Sequence, residues 1–240
     1  MRIIVVSPPR SGNHWTKCLL AHIYRLKQIG GEESQQINPR GLRDANADVD
    51  FPDGSIAHMH SRYTPKLASR LETLPAHLVT PVRDPYDVFL SYYRWVQTRT
   101  PKREAGVAKA ERRPRSKMVG KPLDHPDVLS YLAEDFSLQR AYDWFHSGRA
   151  IPVRYEDLHA DPMATLKRVT DQIEEVDQAA IEAAVAACQI ETVLKANPQL
   201  SHTVRTGKVG ESRSQLTEEH LQIIRERWGD LIASLGYQVR

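Results

Sequence analysis

Short apolar runs and longer amphipathic ones alternate along the first two-thirds of the chain. Arg2-Ile3-Ile4-Val5-Val6-Ser7 is a continuous apolar run of strand length, and it stops at Pro8-Pro9, where a ladder of backbone hydrogen bonds cannot continue. A helical pattern then carries Cys18-Leu19-Leu20-Ala21. The spacing predicts a strand over 2–7 and a helix over 14–28, strands near 55–60 and 77–83, helices over 85–97 and 126–147, and a strand over 149–154. Helices follow over 161–174, opening on Asp161-Pro162, over 178–195, and over 217–234, whose Thr217-Glu218-Glu219 suits a helix N-terminus. Strand–helix alternation predicts an α/β fold, a parallel sheet covered on both faces with a helix-rich C-terminal third, and it puts a ligand at the strands' carboxyl ends.

The turn after the first strand carries the first candidate chemistry. Pro8-Pro9-Arg10-Ser11-Gly12-Asn13-His14-Trp15-Thr16-Lys17 takes the chain from a buried strand through Ser-Gly into a helix, so successive backbone N–H groups and a helix N-terminus meet there. Such a point attracts an anion. Arg10 and Lys17 add positive charge, and Trp15 offers a flat face to a base. Set against the Walker A pattern, Ser7 stands at the first glycine, Asn13 at the lysine and His14 at the hydroxyl residue that holds Mg²⁺. A metal-dependent ATPase fits poorly, no metal site is expected, and a nucleotide or small-molecule kinase with a degenerate P-loop is the alternative.

A second strand-to-helix junction reads Val82-Arg83-Asp84-Pro85-Tyr86-Asp87-Val88-Phe89-Leu90-Ser91-Tyr92-Tyr93. Asp84 is placed to cap the helix and Pro85 to occupy its first position, which leaves Arg83 at a strand's carboxyl end and Ser91 two turns along the helix. A guanidinium and a hydroxyl so placed suit a phosphate.

The two junctions together resemble the sulfotransferase family. Pro9, Arg10, Ser11, Gly12 and Trp15 match its 5′-phosphosulfate loop, from which Asn13 and His14 depart, and every fixed position of its 3′-phosphate motif is present from Arg83 to Tyr93. Val153-Arg154-Tyr155-Glu156-Asp157-Leu158 resembles the family segment whose Tyr reaches the adenine end of the cofactor. Val204-Arg205-Thr206-Gly207-Lys208-Val209-Gly210-Glu211-Ser212 partly resembles the loop over the 3′-phosphate, with Thr206 in a lysine position and Ser212 in a tryptophan position. The resemblance implies a three-layer α/β/α fold of P-loop NTPase-like type. It also implies transfer of a sulfuryl group from 3′-phosphoadenosine-5′-phosphosulfate (PAPS) to a hydroxyl or amine without a metal. Arg10, Ser11, Gly12, Asn13, His14, Trp15 and Lys17 are then expected to hold the 5′-phosphosulfate, and Arg83, Ser91, Arg205, Thr206 and Gly207 the 3′-phosphate, with Tyr155 on the nucleotide. The family's base is a histidine in a Lys-Thr-His pattern, and Ser55-Ile56-Ala57-His58-Met59-His60 places His58 at the lysine and His60 at the base, both on one face of a strand. His60 is the expected general base. With a histidine at the lysine position, Arg10 and Lys17 are left to supply most of the fixed positive charge.

Composition narrows the setting. A chain of 240 residues buries a single-domain core, and no apolar run approaches the ~20 residues of a membrane span, so a soluble, cytoplasmic protein of one domain over 1–240 is expected. The two cysteines, Cys18 and Cys188, sit in helical patterns and read as buried thiols rather than a disulfide framework. Between 97 and 121, nine Lys and Arg stand against Glu104 and Glu111, giving +7, so with +3 overall the remainder carries −4. Almost free of large apolar residues, this stretch reads as a mobile basic loop suited to an anionic acceptor. The same charges alone would fit a non-catalytic binder of anionic polymers. No aromatic interleaving accompanies them, so nucleic acid is not expected. The acceptor is a small molecule or glycan, and the oligomeric state stays open.

Overall fold

The computed structural model describes residues 1–29, 51–98, 114–196 and 207–240. They fall into two compact units, one of Met1–Arg83 with Arg140–Asn197, the other of Asp84–Gln139 with Pro198–Arg240.

The first unit holds the sheet. Strands β1 (Arg2–Val6), β2 (Lys27–Gln28), β3 (Ser55–Met59), β4 (His77–Val82) and β5 (Ile151–Arg154) lie in the order β2-β3-β1-β4-β5. Each pairing is parallel, with Val5 opposite both His58 and Val79. Alternate residues of β1 feed two separate cores, as a sheet buried on both faces requires. Ile3 and Val5 pack with Leu19, Leu20 and Ile23 of α1 (Asn13–Ile23), with Leu166 and Val169 of α7 (Pro162–Ile173), and with Ile181 and Ala184 of α8 (Gln178–Ala187). Ile4 and Val6 pack on the other side with Leu67 and Leu71 of α2 (Pro65–Glu72) and Trp144 of α5 (Gln139–His146). The expected α/β/α layering is present. Between β5 and α7 lies α6 (Tyr155–Ala160), and α9 (Ile190–Ala196) follows α8.

Three expected elements differ. The helix expected over 14–28 ends at Ile23, because Arg25 takes a left-handed φ of 53° and Lys27 donates its N–H to Gly54 O at 2.8 Å, turning the chain onto the sheet edge. No glycine announces that turn. The helix expected over 126–147 is broken into α4 (Pro126–Ser130), a π turn (Tyr131–Asp135) and α5, with Phe136 extended between them. The third, over 178–195, stops at Ala187 with Cys188 as its cap.

Cys18 and Cys188 are not free thiols. They form a disulfide with Cα atoms 6.0 Å apart at a sequence separation of 170. The packing of α8 against α1 sets Cys188 opposite Cys18 across the first core, a juxtaposition made by tertiary structure and not by spacing along the chain.

In the second unit, α3 (Pro85–Gln97) is capped as expected, Asp84 accepting from Tyr86 N–H at 2.9 Å. A 3₁₀ turn (Pro114–Met118), α4, α10 (Ser212–Gln215) and α11 (Glu218–Ser234) accompany it. Phe136 is the hub, with ring centroids 5.3 Å from Phe89 and 5.7 Å from Trp228. Of the basic stretch 97–121, residues 99–113 lie outside the described residues. In its last part, Met118 is fully buried, and Gln97 holds Met118 O and Gly120 N–H at 2.8 Å each.

Candidate active site

The turn between β1 and α1 is built from two left-handed residues, Arg10 at φ 76° and Gly12 at φ 101°. Alternating hands of this kind make consecutive N–H groups converge into an anion-binding concavity. Its base is closed by side chains: Ser7 Oγ donates to Asn13 Oδ1, and Asn13 Nδ2 donates to Pro8 O at 3.0 Å. Both amide atoms of Asn13 are thus engaged within the loop. Ser11 is fully buried, and its Oγ has no hydrogen-bond partner among the described residues. An orphaned hydroxyl inside such a cradle fits an oxyanion that would accept from it.

Residues far apart in sequence complete the cradle. Arg83, just past β4, is mostly buried, and its guanidinium lies over the Tyr155 ring at 4.4 Å from the centroid. Arg83 Nη1 donates to Arg10 O at 3.4 Å, and Tyr142 Oη donates to Arg83 O at 2.8 Å. Tyr155 in turn meets Trp15 edge-on at 5.7 Å. Tyr155 also covers Gly12. A Cβ added at Gly12 would stand 2.7 Å from Tyr155 Cδ2, on a backbone already in the left-handed region. Gly12→Ala is therefore expected to cost about 2–5 kcal/mol, combining the left-handed penalty with overpacking against the ring. Chemical denaturation measures it, and an unchanged midpoint would mean that Tyr155 does not press on this turn.

Two histidines stand beside the loop on one face of the chain. His58 on β3 and His60 just beyond it have ring centroids 5.3 Å apart, and His14 lies 5.0 Å from His58. His60 Nδ1 is 3.0 Å from Ser7 O. A carbonyl only accepts, so Nδ1 carries the proton and Nε2 keeps its lone pair for a proton from elsewhere. Solvent reaches His60, yet the protein packed around it, joined by the Arg10 charge and opposed by the Ser7 carbonyl, pulls its pKa below the usual 6.5. Burial, with the charges of His14, Lys17 and His60, takes His58 down to about 3. His58 is neutral at physiological pH. Lys17 is buried, and desolvation lowers its pKa as well.

The other expected site residues lie in the second unit or outside the described residues. Ser91 lies on α3 and Gly207 at the start of the last described segment, both in the second unit, while Arg205 and Thr206 lie outside the described residues. Within that unit, Asp87 binds the partial-match loop to α3: its carboxylate accepts from Gly210 N–H at 2.6 Å and from Ser212 N–H at 2.9 Å. An ion pair between Arg94 and Glu211 at 2.6 Å adds a second tie. Asp87 is a fixed position of the 3′-phosphate motif whose neighbours along the chain give no hint of this work. Its signal was an acidic residue on an otherwise apolar helix face, and its partners are 123 and 125 residues away.

A family model for the sulfotransferase domain matches residues 1–236. The chain belongs to the sulfotransferase family. Solved sulfotransferase-fold structures superpose on it at low sequence identity. The mouse sulfotransferase SULT7A1, crystallised with PAP, matches at 15% identity and a TM-score of 0.67, covering 96% of this chain and 83% of that one. A retinol dehydratase in complex with androsterone and the inactive cofactor PAP matches at 14% identity and a TM-score of 0.62, covering 96% of this chain and 80% of that one. No curated protein sequence matches. The fold is therefore the sulfotransferase fold, and the kinase alternative gives way. Among the described residues no helix is long and apolar enough to cross a membrane.

Proposed function

We propose that this sulfotransferase takes its sulfuryl group from PAPS and passes it in line to a hydroxyl or amine, with His60 as general base. The meeting of Arg10, Arg83 and Tyr155 around Gly12, beside the orphaned Ser11 hydroxyl, is the observation that supports a phosphate-rich donor here. The donor supplies an activated sulfuryl group whose departure leaves charge on the 5′-phosphate. The backbone N–H groups of Ser11 to His14, the Ser11 hydroxyl, and Arg10 and Lys17 meet that charge, and Trp15 flanks it. Arg83 takes the 3′-phosphate, and Tyr155 holds the guanidinium flat in place. The sequence pattern adds Ser91, Arg205, Thr206 and Gly207 to the same phosphate. His58, neutral at the family's lysine position, adds no fixed charge and so leaves the electrostatic role to Arg10 and Lys17.

The acceptor is a small molecule or glycan, in keeping with the androsterone and retinol carried by a structural neighbour, and the basic stretch favours an anionic one. We place the enzyme in the cytoplasm, where reductants would hold the Cys18–Cys188 pair open. The test has two arms. PAP at about 100 times its Kd should raise Tm by about 5–11 °C, and a labelled sulfuryl donor should yield labelled product from pools of phenols, sugars, lipids and peptides. No heat and no thermal shift with PAP would sink the proposal, and binding without transfer would reduce it to a nucleotide-binding role.

A further inference from the structure

The Cys18–Cys188 pair has a third neighbour. His22 follows Cys18 by one helical turn on the same face of α1, and one donor atom from each of Cys18, His22 and Cys188 lies within 4.8 Å of the other two. Among the described residues this is the one group of three or more His, Cys, Asp or Glu side chains with such spacing. Two sulfurs and an imidazole are the donors that select Zn²⁺ over hard cations.

We propose that, with the disulfide reduced, Cys18, His22 and Cys188 bind one Zn²⁺ and leave its fourth position to water. The inference does not depend on the PAPS assignment. A dithiol reductant gives two electrons to the S–S bond by thiol exchange and is itself oxidised to a disulfide, while Cys18 and Cys188 each take up a proton. Zinc then displaces both protons and forms two Zn–S bonds and one Zn–N bond. Tetrahedral zinc with ~2.3 Å Zn–S and ~2.0 Å Zn–N bonds sets its donors roughly 3.5–3.8 Å apart; the His22 nitrogen already lies within 4.8 Å of both sulfurs, which must part from bonding distance once the disulfide opens. Cα atoms 6.0 Å apart let the freed sulfurs separate that far without moving either helix. Cys188 is buried and Cys18 half-buried, whereas His22 is exposed, so an ion enters from the His22 side.

The site gives the pair two exclusive states that perform one task. Under oxidising conditions the disulfide ties α1, which carries Asn13 to Lys17 of the phosphate loop, to α8. Under reducing conditions the metal makes the same tie.

The experiment uses the full chain, reduced with a phosphine, freed of metal by a chelator, and titrated anaerobically with Co²⁺ as the probe. One equivalent should bind, with thiolate-to-cobalt charge transfer in the near ultraviolet and the visible bands of tetrahedral cobalt, and Zn²⁺ should displace it. The unreduced protein should show neither. His22→Ala, at an exposed position, should weaken binding by more than the ~10–100-fold lost when a ligand's hydrogen-bonding partner is removed. Cys188→Ser should remove about half of the charge-transfer intensity. If Cys188→Ser fails to fold, alkylation of the wild-type chain decides instead, since Zn²⁺ must protect both thiols. Reduced, folded protein that takes up no Co²⁺, a spectrum unmoved by His22→Ala, or alkylation indifferent to Zn²⁺ would overturn the proposal.

Discussion

Replacing His60 by alanine should lower kcat about 100-fold or more while leaving PAP affinity within about twofold. The asymmetry follows from what His60 touches. Its Nδ1–H is given to Ser7 O, at the end of β1, so the ring is oriented by the same residue whose hydroxyl closes the base of the phosphate loop. Removing the imidazole takes away the Nε2 lone pair that accepts the acceptor's proton, but it leaves the Arg10, Ser11 and Arg83 contacts in place. His60→Gln keeps a polar side chain without a titrating nitrogen and should be as slow as alanine. The pH profile gives a second check. Because the protein packed around its ring and the Arg10 charge hold the His60 pKa below 6.5, the unprotonated base persists into mildly acidic solution, and kcat should fall only below the pH at which an ordinary histidine becomes charged. His58→Ala should leave that acidic limb where it is, since His58, at about 3, does not titrate in the working range. Loss of kcat in His58→Ala with full kcat in His60→Ala would reverse the two roles.

How much of this was legible beforehand depends on the distance over which each feature is decided. The junctions at Pro8–Lys17 and Val82–Ser91 were readable because strand termination, Gly12, the Asp84 cap and Pro85 all act within a few residues. The shared face of His58 and His60 follows from the two-residue period of a strand. Other features are made by contacts between distant segments. The Tyr155 ring is pressed against Gly12 and beneath Arg83, an arrangement that needs β4 set between β5 and β1. The Cys18–Cys188 bond needs α8 against α1. The early end of α1 needs Arg25 in a conformation for which its side chain gives no hint, and Gly54, across the sheet edge, rewards it with a backbone bond. Local chemistry thus wrote the phosphate loop into the sequence, whereas the surfaces that press on it were written by the topology.

Arg83→Ala should weaken PAP binding by about 2–4 kcal/mol, or roughly 30- to 1000-fold in Kd, with kcat at saturating donor much less affected. A buried guanidinium that meets a phosphate loses little to solvent screening, which is why the effect is placed above that of a surface ion pair. The side chain also holds Arg10 O, so part of the loss comes from a looser phosphate loop. The backbone anchor is untouched, because Tyr142 binds Arg83 through its carbonyl, and the variant should therefore fold. Lysine should not restore binding: a compact ammonium neither spreads over the Tyr155 face nor offers the paired N–H groups of a guanidinium. Calorimetry with two nucleotides separates the contributions. The wild type should prefer PAP to adenosine 5′-phosphate, which lacks the 3′-phosphate, and Arg83→Ala should lose most of that preference while binding the second nucleotide only slightly more weakly. A variant that still distinguishes the two as sharply as the wild type would place Arg83 with the phosphate loop alone, and the 3′-phosphate would have to be held by residues other than this one.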